Sequence, residues 1–509
     1  MKTRLTLLAI LLAAISMLVA CGGSSAKTFS NASLKGNFTF LALGGDAAGS
    51  NSYGGAESYQ IGGVLVADGN GHITAGEQTY DDSPTVAGDT ITSGTYSIGA
   101  DGVGTITLNT NDTSIGVSGV ETFTIVMVSS SKAMITQFDA SATSSGLLEA
   151  QTSTAAPTGG YAFCVLGADL ANAFPLSFGG VFNIDNNPSA GTISGTGSVA
   201  DTDDSGSVTL QQTLSGFVAS PDLSTSSPDA FGKVAIVLTV GSTPVQFDGY
   251  IVDSNHIQLV ENDGYGVTGG TAFAQGSSTG TFTANSAFAG NFVYGFSGYN
   301  FLGNGADAGV ITADGAGNLN NGQIDESLGG TVITDTLTGT YAVDNTGTGR
   351  VVVNTTFGTN GTGPSMIFYL TGNGNPIAMQ EMDTFALGAG TGQTQGSSAP
   401  SFSGNYAVGF DSVDTSFLET DGIARITANS SAGTFSGSAN ANNNFTPTTG
   451  ETFNGTFTSI TGGRATGTVT VNSGTPSTTA LYFIDSTQGF VIETDSNAVT
   501  LGTFRQQTH

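Results

Sequence analysis

Val64-Leu65-Val66-Ala67-Asp68-Gly69-Asn70-Gly71-His72-Ile73-Thr74-Ala75-Gly76 reads as two strands folded back on one another. Asp-Gly-x-Gly supplies the positive φ angles that a tight turn and its bulge need, so the stretch predicts a β-hairpin. The turn returns as Asp314-Gly315-Ala316-Gly317, and in degenerate form between 185 and 191 and between 429 and 433.

Upstream of each turn stands a strand with the same opening. Gly36-Asn37-Phe38, Gly159-Gly160-Tyr161, Gly290-Asn291-Phe292 and Gly404-Asn405-Tyr406 mark four copies of one folding unit. Phe38/Phe40, Tyr161/Phe163, Phe292/Tyr294 and Tyr406/Val408 recur at the two-residue period of a strand with one buried face. A second hairpin passes through Asp101-Gly102-Val103-Gly104, and three more strand-like runs close the copy. The tally is about eight short antiparallel strands in roughly 105 to 130 residues, which predicts an all-β protein of four tandem meander domains. An up-and-down barrel is favoured because closure removes edge strands. A β-sandwich is the rival, weakened by the missing cysteine pair and tryptophan. The expected domains are 34–151, 158–275, 286–395 and 401–509. Small, polar segments from Gln151, Gln275 and Gln395 onward read as linkers between independent beads.

The start of the chain gives a location. Lys2 and Arg4 precede an apolar run to Ala20, as in a cleaved export signal over 1–20. The run ends in Leu18-Val19-Ala20-Cys21 and is followed by Gly22. This stretch resembles the lipobox of bacterial lipoproteins. The resemblance implies that Cys21 becomes the lipidated N-terminus, with 21–33 as tether and, from Gly22 after the cysteine, an outer-membrane address. Several acyl chains hold a protein at a bilayer, at roughly 0.8 kcal/mol per buried methylene. The whole chain also resembles uncharacterised bacterial lipoproteins built of tandem glycine-rich β modules, a likeness that implies no activity.

Ten Lys+Arg against 39 Asp+Glu give a net charge of −29. Such a surface repels phosphates, so nucleic acid is not an expected partner and only the lipid should meet the membrane. With Cys21 lipidated, Cys164 has no intrachain partner.

Motifs for chemistry are sparse. Gly264-Tyr265-Gly266-Val267-Thr268-Gly269 has the dinucleotide spacing but leads into no helix, and Gly276-Ser277-Ser278-Thr279-Gly280 lies in a linker. His72, His256 and His509 form no cluster and read as solvated. One polar pair does recur in the next-to-last strand of every copy: Gln137/Asp139, Glu261/Asp263, Glu381/Asp383 and Glu493/Asp495. Ile135, Leu259, Met379 and Val491 stand two residues before each Gln or Glu on the same face, so the polar group caps an apolar row. It is expected either to bind a ligand or cation at a barrel mouth, or to anchor backbone amides of a neighbouring loop. Asp201, Asp203 and Ser205 before Gly206 imitate the start of a calcium loop, but Gln212 stands where a bidentate glutamate belongs, so a solvated acidic turn is the expected alternative to a calcium site.

Neither a nucleophile with its base nor a metal cluster recurs, so no cofactor and no enzymatic activity are expected. The leading expectation is an envelope lipoprotein, at the periplasmic or cell-surface side, with an interaction or structural role. The alternative is a carrier holding small apolar ligands in calycin-like barrels, and an enzyme of unknown type comes third. Open apolar interiors would favour the carrier; interiors filled by Phe and Leu would favour the structural role.

Overall fold

The computed structural model describes residues 28–47, 57–82, 85–170, 174–185, 191–300, 303–359, 361–398 and 400–509. The signal segment and Cys21 lie outside the described residues.

The first copy runs β1 (Lys35–Asp46), β2 (Glu57–Asp68), β3 (His72–Asp82), β4 (Thr85–Ile98), β5 (Val103–Thr110), β6 (Val120–Ser129), β7 (Lys132–Gln137) and β8 (Ala142–Ala150). Each strand pairs with the next, and β1 pairs with β8 from Phe38 opposite Ala150 to Asp46 opposite Ala142, which closes a barrel. The second barrel spans Gly159 to Ala274 and closes between its strands Gly159–Asp169 and Gly266–Ala274, with an extra two-residue strand Thr192–Ile193. The third runs from Ala289 to Thr394 and the fourth from Gly404 to Gln506, both closed in the same order. The chain is thus all-β, with four eight-stranded antiparallel barrels in tandem.

The turn chemistry behaves as its residues dictate. Asp68 Oδ1 accepts the amides of Asn70 at 2.6 Å and His72 at 3.0 Å, while Gly69 and Gly71 take φ of +83° and +108°. Asp314 repeats this with Ala316 at 2.7 Å and Asn318 at 2.9 Å. In the fourth copy Asn429 does the same for Ser431 and Ala432.

Each barrel is filled. Phe38, Phe40, Tyr96, Ile106 and Phe123 pack inside the first, and equivalent sets occupy the others. Eight strands give a bore just wide enough for side chains to fill. Phe29 and Leu34 belong to the first core, and Asn31 Oδ1 accepts the Ile98 amide at 2.8 Å. The expected tether therefore stops short of Phe29.

The beads are not independent. Every barrel packs against two others, and the four close into a ring. Between the second and third, Ala162, Cys164, Val181 and Val199 meet Ile367, Tyr369, Ala378 and Met382. Between the third and fourth, Val293, Ala308 and Val310 meet Tyr482, Phe490 and Ile492. Fourth and first meet through Ala407 and Ile423 against Val126, Val128 and Met134. At the first–second seam Gly62 lies against Val260, and Thr79 Oγ1 donates to Asp248 Oδ2 at 2.5 Å.

Segments that read as linkers begin with the residue that locks the seams. Gln151 Nε2 donates to the carbonyls of Phe231 (2.7 Å) and Ile251 (2.8 Å) in the second barrel. Gln275 does so to Thr348 (2.7 Å) and Leu370 (2.8 Å) in the third, and Gln395 to Phe483 (3.1 Å) in the fourth. Gln507 closes the cycle on Asp101 (3.0 Å) and Met127 (2.8 Å) of the first. Each amide nests on a glycine of positive φ (Gly232, Gly349, Gly463 or Gly102), where a Cβ would collide with it.

Candidate functional site

The recurrent aspartates serve the backbone. Asp139 accepts the amides of Thr122 and Ser141, each at 3.0 Å. Asp263 accepts those of Gln246 (2.6 Å) and Tyr265 (2.9 Å), and Asp495 those of Thr478 (2.7 Å) and Asn497 (3.0 Å). Asp383 takes Phe385 at 2.8 Å and Ser365 at 3.4 Å. In every copy one oxygen ties the adjacent strand and the other starts a turn.

The preceding Gln or Glu faces into the barrel end, with Ile135, Leu259 and Met379 below it in three cores and Val491 against the fourth. Ser144 donates to Gln137 at 3.4 Å, Thr268 to Glu261 at 2.5 Å, and Thr500 to Glu493 at 2.7 Å. Burial, then the Asp263 carboxylate, push Glu261 up to about 8; burial pushes Glu493 up to about 7. The third copy has Gly388 in place of the hydroxyl, seven residues on from Glu381. Burial, with Asp383 and Glu326 beside it, drives Glu381 well above the carboxylate range. Asp307 is raised likewise by burial and by Glu326 and Glu381. Burial at the barrel end favours the protonated form of these carboxyls.

The calcium-like loop does not assemble. Asp201 is spent on a neighbouring barrel: Arg350 Nε and Nη2 reach its two oxygens at 2.7 Å each, and Tyr369 Oη donates at 2.7 Å. Asp203 instead accepts the Gly206 amide at 2.8 Å, and Ser205 sits in the turn at φ +50°. A bidentate arginine outbids a loop cation here because the pair is buried and geometrically matched. The arrangement recurs at the next seam, where Arg464 grips Asp325 at 2.6 and 2.7 Å and Tyr482 donates at 2.7 Å. Lys233 takes the equivalent place at the first seam, but its acid, Asp248 at 2.6 Å, belongs to its own barrel and it crosses the seam by donating to Thr79 at 3.2 Å. At the closing seam Val103 replaces the cation, and Asn440 Nδ2 donates to Thr124 at 2.8 Å.

Tertiary structure brings together groups that the sequence kept apart. On the outer wall of the fourth barrel, Asp411, Glu419 and Asp421 place carboxylate oxygens within 4.8 Å of one another. Burial pushes Asp411 up to about 6 and the other two higher, and Thr143 of the first barrel donates to Asp421 at 2.8 Å.

Where the four barrels meet there is a cavity of about 560 Å³ that takes lining from every copy. Its apolar wall includes Leu43, Leu147, Phe273, Pro376, Phe410 and Leu501. Its polar wall holds Lys132, Glu149, His256 and Arg505. Lys132 Nζ lies 2.6 Å from Glu149 Oε1, and His256 Nδ1 lies 3.3 Å from Oε2. Burial opposes ionisation of Glu149, but His256 and Lys132 hold it below its ordinary value. Burial lowers His256, against the pull of the Glu149 carboxylate, and its ring stacks on Phe273 at 4.7 Å. His256 is therefore part of a packed cluster and not the solvated side chain its sequence context suggests; His72 is exposed, and His509, also exposed, lies tilted against Phe29 with ring centres 4.3 Å apart. Arg505 donates from Nη1 to Gln488 at 2.8 Å, while its buried Nε meets no acceptor. No spacing rule flags these four residues, because they come from three different barrels and share no motif.

No protein-family model matches the chain, and no curated protein matches it. Among solved structures, a protein of unknown function from the DUF3598 family of Nostoc punctiforme is similar over 43% of this chain and 96% of its own, at 12% identity. The TM-score is 0.14, so that likeness carries no argument. What the site can do is read from this chain's own residues.

Proposed function

We propose that this is a non-catalytic lipoprotein of the bacterial cell envelope, anchored in the outer membrane through Cys21, whose four-barrel ring is a rigid scaffold or interaction body. The observation that carries the reading is the use of the interior. All four barrels are packed with their own aromatic and aliphatic side chains, which leaves their bores no room for the cargo a calycin-like carrier would hold. The seams point the same way, since four glutamine locks, two buried arginine–aspartate pairs and the Lys233 hydrogen bond to Thr79 spend the polar repertoire on fixing barrel against barrel.

The anchor is tested by expressing the full chain in a didermal bacterium and comparing it with Cys21→Ser. Wild type is expected in the outer-membrane fraction with a diacylglyceryl mass on Cys21, and the variant in the soluble periplasmic fraction. Equal solubility of the two would remove the proposal.

A further inference from the structure

We infer that the cavity at the meeting point of the four barrels is a binding site for a small amphiphilic carboxylate, its head on the Arg505 guanidinium and its apolar body against Leu147, Phe410 and Leu501. The site lies outside the barrel bores and does not depend on the membrane anchor.

Size comes first. About 560 Å³ falls within the range of roughly 300 to 1,000 Å³ typical of small-molecule pockets. Charge decides the class of ligand. Of ten Lys+Arg in the chain, Lys233, Arg350 and Arg464 serve acids at the seams, while Lys132 and Arg505 line this one cavity. Among the described residues no acid comes within ion-pair reach of Arg505. Of the carboxylates in the lining, Glu149 pairs with Lys132, Asp253 Oδ1 accepts the Asn255 amide at 2.6 Å, and Asp411 sits beside Glu419 and Asp421 with its Oδ1 meeting no donor. Arg505 thus lines a half-enclosed space with Nη1 on Gln488, and its buried Nε meets no acceptor. A buried donor left unpaired costs about 1–3 kcal/mol, more when the group is charged, and a planar carboxylate is the acceptor that fits it. Apolar surface on the remaining wall favours an attached hydrocarbon over a bare inorganic anion.

The test uses octanoate as probe, titrated calorimetrically into the full chain beside its neutral counterpart octan-1-ol. One octanoate per chain is expected, with the alcohol at least tenfold weaker. Arg505→Gln should weaken octanoate at least tenfold and leave the alcohol unchanged, while Arg505→Lys retains part of the affinity. Leu147→Trp, which fills the cavity from another barrel without touching the guanidinium, should abolish binding of both probes. Melting midpoints of each variant separate loss of the site from loss of the fold. No heat with octanoate, equal affinity for acid and alcohol, a stoichiometry of four, or unaltered binding in Leu147→Trp would each overturn the inference.

Discussion

Gln507 donates its side-chain amide to the Met127 carbonyl at 2.8 Å, so a residue that follows the fourth barrel's last strand is fastened to the first barrel. The same amide reaches Asp101 at 3.0 Å, and Thr508 donates to Val128 at 2.8 Å. One buried carbonyl, of Met127, and one part-buried carbonyl, of Asp101, share that NH2 group.

Gln507→Ala strips both acceptors at once. Each buried polar group left unpaired costs about 1–3 kcal/mol. The loss should be local, because the fourth seam lacks the cation found at the other three. Hydrogen exchange at β5 and β6 is expected to quicken while the second and third barrels keep their protection. Uniform protection throughout would show that the ring does not depend on this lock.

Arg350→Met leaves Asp201 buried beside Tyr369 with no counter-charge. Breaking a buried pair from one side typically costs about 3–5 kcal/mol. The unfolding free energy from urea denaturation should fall by that amount, and adding Asp201→Asn should restore most of it because the remaining group is then neutral. A double variant as unstable as the single one would contradict the ion-pair reading.

The raised carboxyls set the pH dependence. Asp411 stands at about 6, Glu326 and Glu493 at about 7, and Glu77, Glu121 and Glu261 at about 8, burial being the main cause in each. Acids whose folded pKa is raised bind more protons in the native state, so their stabilising effect is complete below the ordinary carboxylate range and fades as pH rises through 6 to 8. The melting midpoint should therefore be higher at pH 5 than at pH 8 by several degrees. Glu261→Gln should narrow that gap by gaining stability at pH 8 alone. A midpoint that climbs with pH would show that these groups are ionised in the fold.

Asp263→Ala removes the acceptor of the Gln246 and Tyr265 amides together. A loss of about 2–3 kcal/mol is expected, since hydrogen bonds to charged groups contribute about 1.5–3 kcal/mol and the turn must find new partners. Asp263→Asn, which keeps one acceptor oxygen, should lose about half as much. Chemical denaturation of the two variants side by side measures the difference, and no loss in Asp263→Ala would deny the aspartate its anchoring role.

Local chemistry was legible in the sequence by itself. The period-two rows of Phe38/Phe40 and their copies, the Asp-Gly-x-Gly turns and the fourfold recurrence determined strands, hairpins and the number of barrels, because each depends on residues close together in the chain. The recurring Gln137, Glu261, Glu381 and Glu493 could likewise be placed at the polar end of an apolar row, since side chains two apart share a face. What only the tertiary structure decided lies between barrels. Gln151, Gln275, Gln395 and Gln507 look like linker or terminal residues until the carbonyls of the next barrel are brought to them. Asp201 looks like a loop ligand until Arg350 arrives from 149 positions away. The ring and its central cavity depend on how four outer walls fit, and outward-facing residues such as Lys132, His256 and Arg505 follow no periodic rule that would disclose their neighbours. Hydrogen-bonding and charge partners at such distances are chosen by packing, and packing of whole domains leaves no local spacing to read.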